Sequence, residues 1–312
     1  MEKGRAYAMT IAGASFWGMT GLFVQKLYTF GFTPLEVVTV RMTLSAFLLF
    51  AVLLAIRSYQ LHIYFRDIPH FIGLGVVSIA LFNWCYFTVM DEASLSIAVV
   101  LLYTSPVFVA LMSRFIFKEP LTKNKLIAIS LTLAGCAFVA GLLPGGAAAV
   151  EPGILMLGFA SGFFCGIYSV IGKFVSRKYS SITITAYSML CGSLVLLPMS
   201  GLHTRLYLFQ EWEVWIWALG SVLVSTILAY ILYTAGLKHI EAGKAAILST
   251  VEPIVAILVG VLIFRDILTG WQLLGIILVL SSVLLAIFSK RRKFSRTSKA
   301  APAEFTPVSY KK

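Results

Sequence analysis

The chain has 312 residues, 59% of them hydrophobic and 12% charged, far from the roughly half apolar and one-quarter charged balance of soluble domains. A hydrocarbon core needs about 20 apolar residues per helical span, so this length holds about ten spans and leaves no room for a soluble catalytic domain. The formal net charge of +12 is uneven, because residues 290–312 carry eight Lys or Arg against Glu304.

The chain opens with a basic start, MEKGRAYAMTIAGASFWG, whose apolar run outlasts a signal peptide and offers no convincing cleavage site. It reads as a retained first helix. Apolar segments follow at about 6–27, 34–56, 69–90, 93–116, 124–142, 153–175, 181–200, 213–237, 241–264 and 268–289. Thr33-Pro34 and Ile68-Pro69 place proline near a first turn, and Pro144-Gly145-Gly146 is a break. The segments are apolar nearly throughout and do not alternate, which predicts an all-α integral membrane protein and excludes a β-barrel. Trp212, Trp215 and Trp217 fall where the eighth span meets the interface and read as an aromatic belt. The fifth and tenth spans carry almost no ionisable residue and are placed peripherally. Cys85, Cys136, Cys165 and Cys191 lie in apolar runs without CxxC spacing, which reads as core packing with neither disulfide nor metal site. His62, His70, His203 and His239 lie in loops or near span ends and support no proton relay. The basic tail reads as a cytoplasmic anchor near anionic lipid, with no nucleic-acid partner.

Placing the N-terminus in the cytoplasm puts 21 of the 25 Lys and Arg inside. Lys26, Arg205 and Arg265 fall outside, and Arg41 lies within a span. That bias predicts both termini inside. An internal repeat is visible at an offset of 147 without a gap: residues 116–122, IFKEPLT, meet residues 263–269, IFRDILT. Phe16 meets Phe163, Lys26 meets Lys173, Gly73 meets Gly220, Ser78 meets Ser225, Tyr86 meets Tyr233, and Pro106 meets Pro253. Five spans per half is an odd number, so the second half is inserted upside down. The expectation is ten transmembrane helices as an inverted five-plus-five repeat: residues 1–142, residues 153–289 and a basic tail at 290–312. Inverted repeats are the architecture of many secondary transporters, with a site near the midplane where the halves meet.

The paired segments SPVFVALMSRFIFKEPLT and EPIVAILVGVLIFRDILT, with Trp17-Gly18 in the first span and Pro34 and Arg41 in the second, resemble the EamA branch of the drug/metabolite transporter superfamily. The resemblance covers about residues 7–289. It implies secondary transport, commonly export, of small metabolites, amino acids or drugs, and it does not supply the substrate. The family has Glu after the fourth and ninth spans, whereas this chain has Glu119 and Asp266.

Glu252 lies near the middle of the ninth span, where a carboxylate is costly unless it faces a cavity, pairs or takes up a proton. Pro253 follows it, removes an intrahelical hydrogen bond and is expected to free the carbonyl of Ser249. Glu252 is thus a candidate for substrate or proton, or else a packing lock between helices. Arg41, about 10 Å in from the interface, either meets a substrate anion or pairs with Glu36 or Glu252. Lys244 reads as a snorkelling side chain. Trp17, Asn83, Tyr86, Tyr103, Thr104, Ser105, Tyr168, Tyr187, Tyr230 and Tyr233 supply aromatic faces and small polar groups for a cavity or equally for core packing.

The functional expectation is a plasma-membrane secondary transporter, an exporter of small organic solutes by alternating access. Its expected partners are a small-molecule substrate, the lipid bilayer and protons as a coupling ion left open, with no cofactor, no metal and no enzymatic activity. No GxxxxGK[ST] motif occurs, so ATP is not the direct driver within this chain. A lipid or sugar-lipid flippase and a non-transporting membrane scaffold are the alternatives.

Overall fold

The structure, a computed structural model, describes residues 2–145, 150–265 and 267–288, without the side chain of Glu2. Asp266 and the basic tail therefore lie outside the described residues. The helices in chain order are α1 (Lys3–Thr29), α2 (Pro34–Ile56), α3 (Phe65–Glu92), α4 (Leu95–Ile116), α5 (Lys123–Val139), α6 (Pro152–Val175), α7 (Ser181–Met199), α8 (Trp212–Leu237), α9 (Ala242–Phe264) and α10 (Gly270–Phe288). All but α5 are long and apolar enough to cross a membrane, which makes nine such helices among the described residues.

The fifth predicted span is shorter than its apolar run. Helix α5 has 17 residues, because Gly141 adopts φ +74° and ends it. The Leu142 N–H reaches Ala137 O and the Gly141 N–H reaches Phe138 O, the paired bonds with which a left-handed glycine closes a helix. Other boundaries follow their local chemistry. Thr33 accepts the Glu36 N–H while Glu36 accepts the Thr33 N–H, with Pro34 in the first turn of α2. Ser94, Thr122 and Ser180 each cap the helix they precede.

Helix α1 packs along α8 and α6 along α3, α2 lies against α7, and α5 pairs with α10. Gly135 and Gly275 face one another in the last pair, where a Cβ on Gly135 would sit 2.9 Å from the Gly275 carbonyl oxygen. Phe47, Leu54, Met156, Leu194 and Leu284 are exposed, a surface suited to lipid.

Several helices are interrupted near mid-length. Helix α1 breaks at Met19, α4 at Tyr103–Thr104, and α9 tightens to a 3₁₀ turn over Ser249–Val251. The last two breaks stand just before Pro106 and Pro253, which lack the N–H a continuous helix needs. Helices α3 and α8 instead widen to π winding over Gly73–Leu81 and Leu223–Leu228. The offset of 147 carries 76–81 onto 223–228 and 103–104 onto 250–251, so the same irregularities recur at corresponding places.

Candidate functional site

The interrupted helices α1, α3, α4, α8 and α9, with α2 and α6, wall a cavity of about 720 Å³. Trp17 and Glu252 line it beside the breaks of α1 and α9, and Tyr168 and Tyr233 line it from α6 and α8. From there it runs to one end of the bundle, past Tyr28, Pro34, Leu95 and Leu268. Those four residues stand beside the α1–α2, α3–α4 and α9–α10 connections.

Glu252 starts the second part of α9, directly after the 3₁₀ turn, and is half-buried on the cavity wall. Its carboxylate makes no hydrogen bond and no ion pair among the described residues. The Ser249 carbonyl, expected to be free, instead accepts the Glu252 N–H. Tightening to a 3₁₀ turn satisfies the group that Pro253 would otherwise strand. The close crossing of α1 depends on Gly18, where a Cβ would lie 2.5 Å from the Glu252 carbonyl oxygen.

Arg41 comes from α2 and is pinned by α8. Its Nε donates to Thr226 Oγ1 at 2.9 Å and its Nη2 to the Ser225 carbonyl at 3.1 Å. Both acceptors sit in the π stretch, where Thr226 Oγ1 itself donates five residues back, to Ser221 O. Among the described residues two of the five guanidinium N–H groups are thus used, and Arg41 lines the cavity. Neither acid expected to pair with Arg41 does so. Glu36 is bound by Arg205 at 3.0 and 3.2 Å, which its place in the α2 cap explains, and Glu252 is beyond ion-pair distance. Arg41 and Glu252 therefore present separate, opposite charges to one space.

Four aromatic rings form the floor. Trp17 lies 4.9 Å from Tyr230 and 4.8 Å from Tyr233 between ring centres, and Tyr168 is 5.1 Å from Tyr230, separations at which offset and edge-on rings attract. The hydroxyls of Tyr233 and Ser169 share a hydrogen bond of 2.6 Å, and those of Tyr168 and Thr234 one of 3.0 Å. Tyr86 and Tyr103 also line the cavity, Tyr86 tilted against Phe82 and edge-on to Phe87. Asn83 lines it too, but its amide donates to Ile79 O of its own helix at 2.8 Å. Tyr187 is not brought to the cavity. Its hydroxyl donates to Leu61 O at 2.7 Å, and its ring packs on Phe50 and Phe71.

Sequence reasoning placed Ser105 beside Tyr103 at a possible cavity, whose wall it does line, and missed Cys165 and Thr226 on the same wall. The four cysteines are free, and Cys85 and Cys136 are buried as packing residues, but Cys165 is only half-buried. The repeat also sets Ser105-Pro106 opposite Glu252-Pro253.

The model of the EamA-like transporter family matches the chain twice, over residues 4–141 and 152–288. A protein of Archaeoglobus fulgidus named an uncharacterized transporter is 32% identical over 68% of this chain and 75% of its own length. The uncharacterized transporter YwfM of Bacillus subtilis is 27% identical over 96% of this chain and 99% of its own. A solved crystal structure at 18% identity superposes with a TM-score of 0.73, covering 90% of this chain and 96% of the other, a likeness of fold.

Proposed function

The chain belongs to the EamA-like transporter family, and from that premise we propose that it is a secondary transporter of the plasma membrane that exports small organic solutes by alternating access. The proposed topology is ten spans as an inverted repeat, residues 1–142 and 153–289, with both termini and the tail 290–312 cytoplasmic. The duplicated family match and the recurrence of the π stretches at the same offset support the repeat. Helix α5, at about 26 Å, completes the tenth span at the short end of the permitted range.

The observation that carries the reading is Glu252, a carboxylate without a protein partner among the described residues, on the wall of a cavity inside a membrane bundle. Intramembrane ionisable groups of this kind mark substrate or ion pathways. With Arg41 held apart by Thr226 and Ser225, and with aromatic faces below, the cavity suits a small amphipathic solute that offers a cationic group to Glu252 and an anionic or carbonyl group to Arg41. Amino acids and drug-like amines both meet that description. The basic loops put the cavity mouth on the external side, the side of release for an exporter.

The experiment is a mass-spectrometric comparison of medium and cell contents from cells expressing the chain, its Glu252→Gln variant, or neither. The expected result is one solute class that accumulates outside only with the intact chain. Unchanged medium, with the protein inserted in the membrane and amino acids and amines supplied, would overturn the reading. In vesicles, flux that ignores a pH gradient in both proteins would remove protons as the coupling ion and leave export intact.

A further inference from the structure

At the end of the bundle opposite the cavity mouth, three charged side chains converge from separate parts of the chain. Lys125, at the start of α5, places Nζ 3.1 Å from Glu119 Oε2 and 3.5 Å from Glu241 Oε2. The side chains of Lys125, Glu119 and Glu241 are only 4%, 8% and 15% exposed. Glu119 also accepts the backbone N–H groups of Ala242 at 2.9 Å and Gly243 at 3.3 Å. It therefore caps the first turn of α9, where the helix dipole favours a carboxylate. A Cβ on Gly243 would lie 2.7 Å from Lys125 Nζ, so glycine leaves the room the ammonium occupies. From the other flank, Lys173 of α6 donates to the carbonyls of Leu237, Lys238 and Ile240, and grips the connection that carries Glu241.

The cluster holds together the half of the bundle that is shut. Ser105–Ile116 of α4 packs on Ala242–Leu248 of α9, whereas Leu95–Leu102 and Glu252–Val259 both contribute to the cavity wall. A buried ion pair is a weak device for stability, because desolvation offsets most of the attraction and an apolar replacement often serves as well. It is a suitable device for a reversible closure: on separation the charges regain water, while an apolar seal of the same area would expose itself at full hydrophobic cost. The breaks at Tyr103–Thr104 and Ser249–Val251 lie between this cluster and the open half, so each supplies a hinge at the cavity floor.

We propose that Glu119, Lys125 and Glu241 form the gate that shuts this end of the cavity, and that α4 and α9 hinge at their breaks to part it. The proposal rests on the alternating-access reading above. Solute leaving Glu252 and the motion of the α9 hinge three residues earlier are then one event.

Cys165 on the cavity wall is a native reporter. The full chain is sealed in vesicles of defined orientation, a membrane-impermeant thiol reagent is applied to one side or the other, and each cysteine is quantified by peptide mass spectrometry. Wild-type Cys165 is expected to react chiefly from the mouth side. Lys125→Met, and separately the milder Glu241→Gln, are expected to raise its reaction from the Lys125 side by roughly ten-fold, the size of a modest population shift. Reaction unchanged from both sides in variants that reach the membrane overturns the gate while leaving transport in place. Wild-type protein that reacts from the mouth side alone, whatever solute is supplied on either side, and moves no solute overturns the alternating-access reading and the gate with it. Should Lys125→Met fail to insert, Glu241→Gln carries the same test.

Discussion

Helices α4 and α9 occupy corresponding places in the two halves of the chain, and they are held differently. Both break just before a proline, and both turn the residue after the break toward the same cavity. Helix α9, however, begins beneath a carboxylate and an ammonium from another part of the chain. Helix α4 begins beneath its own Ser94, whose hydroxyl accepts the Ile97 N–H at 3.2 Å. The end capped by distant charged residues is shut, and the end capped by its own serine borders the cavity mouth. After the break, one helix has Ser105 and the other Glu252. A duplicated backbone supplies the scaffold, and the positions at which the copies diverge supply its direction and its charge.

The largest expected effect comes from filling the crossing of α1 and α9. A Cβ on Gly18 would meet Glu252 O at 2.5 Å and Val255 Cβ at 2.7 Å, backbone on one side and a branched residue on the other. Gly18→Val is expected to lose the upper part of the about 1–3 kcal/mol that overpacking costs, read as a lower unfolding temperature in detergent together with lost flux. At the crossing of α6 and α4 a Cβ on Gly162 would meet the Thr104 hydroxyl at 2.5 Å and the Leu101 carbonyl oxygen at 2.8 Å, so Gly162→Ala, which adds one methyl where Gly18→Val adds three carbons, is expected to be milder but not neutral. Gly21, with nothing within 4 Å of its Cβ position, is the control, and Gly21→Ala is expected to leave both readouts intact. Equal tolerance at Gly18 and Gly21 would show that α1 and α9 do not cross as described.

The next effect tests the divergence after the break. Glu252→Ser makes α9 match α4, and removing a hydrogen bond to a charged group of about 1.5–3 kcal/mol predicts a ten- to hundred-fold rise in the solute concentration needed for half-maximal flux. Ser105→Ala removes only a neutral hydroxyl, worth about 1 kcal/mol, and a change of a few-fold is expected. Similar losses for the two variants would mean that the two halves contribute alike and that the carboxylate has no special part.

The order of the helices was legible because each span needs a long apolar run, and the runs are punctuated by proline, glycine and charge. Their ends were legible to within a few residues where Thr33-Pro34 or Ile68-Pro69 marks a turn. Helix α5 was misjudged because apolar composition continues through residue 142 while the backbone turns at Gly141. Glu252 was legible because a lone carboxylate in an apolar run is a signal in one dimension. The partner of Arg41 was not, since Ser225 and Thr226 become acceptors only where α8 widens. The cluster of Glu119, Lys125 and Glu241 escaped notice for a related reason: charges near span ends look interfacial, and only the fold brings residues 116 positions apart together. Cys165 looked like its three neighbours in composition and differs from them in facing a cavity. Tyr187 had the same claim on the cavity as Tyr230 until its helix turned it toward the connection at Leu61.

The smallest expected effect lies farthest from the divergence, in the pair formed by α5 and α10, which correspond to one another and pack face to face. Their one direct polar link among the described residues is the hydrogen bond of 2.8 Å between the Thr132 and Ser282 hydroxyls, both buried. The Ser282 hydroxyl has a local partner, since it also donates to Val279 O at 2.8 Å, and a helix separated within the bilayer keeps that bond. A cycle of Thr132→Val, Ser282→Ala and the double variant is therefore expected to give a coupling of about 0.6 kcal/mol in denaturation, the average for hydrogen bonds between membrane helices. The sidedness of Cys165 reaction should not change in any of the three. A large coupling, or a change in sidedness, would move α5 and α10 from a passive support into the part of the molecule that rearranges, and the contrast between α4 and α9 would then no longer suffice to explain which end of the cavity is open.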